Sequence, residues 1–116
     1  MEETPAQEAL RLLSSVPAEK YITHSFSDEN NQCCAIGHYI RLKSGDPNNY
    51  STENCSDYFF NFSIREMSTN FIKHQYGIQG ASIATVNNGN AVNGYSEPAI
   101  KDRVIHLLQD MVKAGY

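Results

Sequence analysis

Residues 57–76 read DYFFNFSIREMSTNFIKHQY, and this stretch decides the fold. Phe60, Ile64, Met67 and Phe71 recur at i, i+4, i+7 and i+11, which lines one face of an α-helix. The spacing predicts a helix from about Asp57 to Tyr76, broken by Gly77 and Gly80. Its stripe reads as core, with a docking groove or dimer face as the alternative. Upstream, the polar run of residues 45–55 reads as a surface loop. A helix is predicted before it over Cys33–Lys43, with Asn31 as cap and Gly45 and Pro47 as stops. Gly37 in its middle costs about 1 kcal/mol relative to Ala. That cost points to close approach by another helix or a ligand.

Further towards the N-terminus, residues 20–26 are rich in β-formers and read as a short strand or an extended linker, followed by a turn at 27–31. The first helix follows Thr4-Pro5-Ala6-Gln7, with Thr4 as cap, Pro5 in the first turn and Gln7 closing a capping box. Ala6, Ala9, Leu10, Leu13 and Val16 share its inner face, and Pro17 ends it. Downstream of residue 76, Ala81-Ser82-Ile83-Ala84-Thr85-Val86 is read as helix. Residues 87–94, rich in Asn and Gly, form a long loop or an Asn-Gly hairpin. The last helix is predicted from Ser96 as cap, with Ile100, Val104, Leu107, Leu108 and Met111 inward and Gly115 after its end. The expectation is a mainly α single domain, residues 1–116, of about four helices and at most a small strand pair.

Composition narrows the function. The 116 residues carry 9 Lys+Arg and 13 Asp+Glu, a net charge of −4. The basic residues are scattered, so direct DNA or RNA binding through phosphates is not expected. No apolar stretch reaches the ~20 residues that cross a bilayer. The Met1-Glu2-Glu3 opening lacks the basic start and apolar block of a secretory signal, so the expected compartment is the cytoplasm. Three cysteines, two of them adjacent, make a poor disulfide framework and read as reduced thiols. No phosphate-binding loop, dinucleotide fingerprint or hydrolase triad occurs, and no cofactor or metal is expected.

Two segments carry polar chemistry. In Gln32-Cys33-Cys34-Ala35-Ile36-Gly37-His38, a thiol in the first turn of a helix would feel its dipole, and His38 lies four residues after Cys34. Cys34, or Cys33, with His38 or His74 as base would make a small cysteine enzyme. The same residues read more readily as ordinary packing. The second segment is Asn87-Asn88, followed by Tyr95, Lys101 and Arg103. Amides, an aromatic platform and two cations beside a helix N-terminus suit a nucleotide, with Tyr95 or Tyr76 on the base and Lys101 or Arg103 on phosphate. Asn and Gly also simply make turns, and Lys101 and Arg103 also read as a solvated helix face.

Together, the opening amphipathic helix, the Cys-Ala-x-Gly box at Cys34-Ala35-Ile36-Gly37 and the Asn-rich turn before a Lys101-Asp102-Arg103-Val104-Ile105 helix resemble a family of small uncharacterised bacterial and phage proteins. The chain has Asn87-Asn88 where that pattern has Asn-Asp, which removes the acid a catalytic role would use. It also carries no Trp. The resemblance implies a mostly helical fold and a phage or mobile-element origin, with the host cytoplasm as location. By analogy with phage counter-defence proteins, the expected function is a non-enzymatic accessory protein, in one form a homo-oligomer, that sequesters a small nucleotide-like signal. The alternatives are an interaction module that inhibits a host protein and the cysteine enzyme.

Overall fold

A computed structural model describes residues 2–89 and 94–116. Its elements are α1 (Pro5–Ser14), a 3-10 turn (Ala18–Lys20), α2 (Ala35–Lys43), α3 (Tyr58–Tyr76), α4 (Ile83–Asn87) and α5 (Ile100–Lys113). The mainly helical expectation holds. Among the described residues the strand pair reduces to one isolated parallel bridge, Tyr21 with Cys33. Of the hairpin alternative for 87–94, residues 90–93 lie outside the described residues.

Local chemistry sets the helix ends. Thr4 Oγ1 accepts from Gln7 N at 3.2 Å, and Thr4 N donates to Gln7 Oε1 at 2.8 Å, which completes the capping box. Asp57 caps α3 by accepting from Phe60 N, and Gly77 ends that helix at φ +71°. Ser82 caps the short α4.

Two predicted starts are corrected. The second helix begins at Ala35, and its cap is Cys34. Asn31 instead sits at φ +58° inside a turn that Asp28 organises, its Oδ1 accepting from both Asn30 N and Gln32 N. The last helix begins at Ile100 after Ala99, not at Ser96. The Glu97 and Pro98 carbonyls turn towards the Arg103 guanidinium instead of starting a helical ladder.

One core joins all the helices. Ala6, Ala9 and Leu13 of α1 bury against α5, where Val104, Leu107, Leu108 and Met111 are fully covered. Ile36 and Ile40 of α2, Ile64, Phe71 and Ile72 of α3, and Ile83 and Val86 of α4 complete it. The α3 stripe is therefore divided: Ile64 and Phe71 are core, while Phe60 and Met67 are half-buried. The close approach at Gly37 comes from the Phe26 carbonyl of the preceding linker, which would lie 2.2 Å from an added Cβ. Neither another helix nor a ligand is needed to explain that glycine.

Candidate functional site

Ala35 of the Cys34 box and Asn87 of the Asn87-Asn88 turn lie 52 residues apart in sequence, and the fold joins them. Asn87 is buried at the end of α4. Its Oδ1 accepts from Ala35 N at 2.9 Å, so it caps a free donor at the start of α2. Its Nδ2 donates to Ile22 O at 2.9 Å, tying in the linker. Asn88 Oδ1 in turn accepts the backbone N–H of His24 at 2.9 Å. His24 stands at φ +61°, a left-handed conformation uncommon for a residue with a side chain. Such backbone strain recurs at functional sites, where the surroundings hold it in place.

At this junction opens a cleft of about 320 Å³. His24, Ser25, Cys34, Arg65 and Asn88 supply its polar lining, and Phe26, Ile36 and Ala84 its apolar walls. Arg65, exposed on α3, is the permanently charged group among these residues. Cys34 Sγ receives Gly37 N at 3.5 Å and serves as the cap of α2. Burial pushes the Cys34 thiol up, against the opposing pull of the Gly37 and Ile36 N–H groups and of Arg65. The thiol is therefore protonated near neutral pH, contrary to the lowered pKa expected from the helix dipole alone.

The pairing of Cys34 with His38 is not made. His38 is fully buried, and both its ring nitrogens are used. Arg41 Nη2 donates to Nδ1 at 2.8 Å, which leaves Nε2 to carry the proton and donate to Lys20 O at 2.8 Å. Burial lowers the His38 pKa to about 4, so the ring is neutral. His74 is exposed near the end of α3 and does not line the cleft.

The predicted nucleotide cluster is also divided. Asn88 lines the cleft, and Asn87 holds its frame. Arg103 is buried, which corrects the reading of it as solvated or phosphate-facing. Its guanidinium donates to Val86 O at 2.8 Å, Asn87 O at 2.7 Å, and Glu97 O and Pro98 O at 3.0 Å each. Tyr95 is buried as well. Its hydroxyl donates to Asp110 Oδ2 at 2.7 Å and accepts from Tyr76 at 3.2 Å, so the Tyr95 ring is no open platform, and the half-buried Tyr76 lies outside the cleft lining. Lys101 lies apart from the cleft, along a groove with Glu97, Asp102 and His106. His24 and Arg65 were not singled out from the sequence. One stands in a linker and the other on a polar helix face, and only tertiary packing brings them together.

Among the described residues no three His, Cys, Asp or Glu side chains gather as metal ligands, and no helix is long and apolar enough to cross a membrane. No family model, curated protein or solved structure matches the chain.

Proposed function

We propose that this protein is a non-enzymatic binding protein whose cleft takes a small anionic, nucleotide-like signal and sequesters it, as phage counter-defence proteins do. The observation that carries the reading is the joining of the Cys34 and Asn87-Asn88 segments around strained His24, with Arg65 as cation at the same cleft. A volume of about 320 Å³ sits at the lower end of the range for small-molecule sites. Phe26 and Ala84 offer apolar surface to a base, Arg65 offers charge to a phosphate, and His24 and Asn88 supply hydrogen bonds. A thermal-shift screen with mono-, di- and cyclic oligonucleotides tests this. Saturation at about a hundred times the dissociation constant adds ~2.7 kcal/mol and raises the midpoint by several degrees. The exposed position of Arg65 lets Arg65→Glu abolish that shift without loss of folding.

A second reading, an interaction module that inhibits a host protein, is favoured by one observation. Tyr58, Phe59 and Phe62, at the start of α3, are 81%, 70% and 54% exposed. Grouped aromatic rings on a surface mark protein contact sites. Sedimentation at tens of micromolar separates self-association from contact with another protein. Phe59→Ser with Phe62→Ser should remove either association while leaving the cleft intact.

A further inference from the structure

Cys33 and Cys55 reach each other from two segments that lack regular secondary structure. Their sulfurs lie 3.7 Å apart, and both residues are fully buried. Cys33 belongs to the isolated bridge ahead of α2, and Cys55 closes a turn at 52–55. The segment that carries Cys55 is a unit in itself. Asn54 Nδ2 donates to Asp46 O and Asn49 O, while Asp46 N donates to Asn54 Oδ1. Beyond the Ser44 and Gly45 amides, which donate to Ile40 O at the end of α2, the unit meets the body through Ser27 Oγ with Thr52 Oγ1, Arg41 on Pro47 O, Arg41 over the Tyr50 ring, the edge of His38 against that ring, and the two sulfurs. Cys34, although adjacent to Cys33, turns its sulfur to Gly37 N and lines the cleft instead.

We propose that Cys33 and Cys55 are an oxidation site, forming a reversible disulfide that staples the 44–57 segment to the entry of α2. The sulfurs must approach by less than 2 Å to reach the bonded distance of ~2.05 Å, and neither backbone is held in a helix. The co-reactant is a low-molecular-weight disulfide such as oxidised glutathione. One protein thiolate attacks it, releases one glutathione thiolate and forms a mixed disulfide. The second protein thiolate then displaces the other glutathione. In net, two protein thiols become one disulfide, and the oxidant is reduced by two electrons to two glutathione thiols, which take up the two protons. Because both sulfurs are covered, reaction proceeds through opening of the 44–57 unit and is slow. The staple is independent of what the cleft binds.

No tryptic site separates Cys33 from Cys34, so the test uses the full chain and its Cys34→Ser variant. Each is incubated folded with oxidised glutathione, quenched and mapped without reduction. The proposal predicts a loss of two hydrogens and a peptide joining Cys33 to Cys55 in both proteins. It also predicts a melting midpoint several degrees higher, reversed by dithiothreitol and absent in Cys55→Ser. Glutathione attached at Cys34 alone would overturn it. So would a failure of Cys33 and Cys55 to link in the folded chain, or linkage without a gain in midpoint.

Discussion

Arg103 on α5 donates to the backbone carbonyl of Asn87 at 2.7 Å, and the same guanidinium holds Val86 O on that side and Glu97 O and Pro98 O on the other. One buried cation thus fastens both flanks of the Asn-rich segment. Its charge is met by carbonyl dipoles, two of them at the C-terminal end of α4, where a positive group is favoured. Asn87 is thereby fixed from its backbone, and its side chain can hold Ala35 and Ile22.

Arg103→Ala should destabilise the fold by about 3 kcal/mol or more, because it leaves several buried carbonyls unpaired. Urea unfolding measures this. A midpoint within error of the parent would mean that the clamp contributes nothing.

Gly37→Ala should also destabilise, by about 1–3 kcal/mol, although alanine is the better helix former by about 1 kcal/mol. The added methyl meets Phe26 O, a backbone atom that moves only if the linker moves. The same variant should disturb the cleft wall at Phe26, so ligand-induced shifts should shrink with it. A stabilised variant would contradict the contact.

The His38 ring stays neutral in the folded chain down to about pH 4, whereas its unfolded pKa is 6.5. Between these values the unfolded chain binds a proton that the folded chain does not. Stability is therefore fully present above ~pH 6.5 and is lost as pH falls towards 4, by roughly 3 kcal/mol for this residue. Equilibrium unfolding from pH 8 to pH 4 reads the slope. His38→Gln can accept from Arg41 and donate to Lys20 O, so it should flatten that limb. An unchanged slope would assign the acid sensitivity elsewhere.

Cys34 should alkylate more slowly with iodoacetamide at pH 7 in the folded protein than in urea, since burial raises its pKa. Faster reaction in the folded state would revive the cysteine-enzyme reading.

Several features were legible because their causes are local. The Thr4–Gln7 capping box, the α3 periodicity and the Gly77 stop each involve residues within a turn or two of one another. Asn31 failed as a cap because Asp28 organises that turn first. Arg103 was misread by its charge: it stands four residues before Leu107 on the buried face of α5, so its position in the helix outweighed its polarity. Tyr95 was misread in a similar way, since Tyr76 and Asp110, which satisfy its hydroxyl, are distant in sequence. The cleft was half legible. Cys34 and Asn88 were marked from the sequence, but no spacing could join them to His24 and Arg65.

The central claim is that the cleft between the Cys34 and Asn88 segments binds a small anion-bearing ligand. Titration calorimetry on the parent and on Arg65→Glu, using the best compound from the nucleotide screen, tests it most directly. Saturable one-site binding by the parent, lost in Arg65→Glu at an unchanged melting midpoint, is the predicted result. Equal affinity in the two proteins, or no binding by any nucleotide, would contradict it and leave the aromatic face of α3 as the working surface.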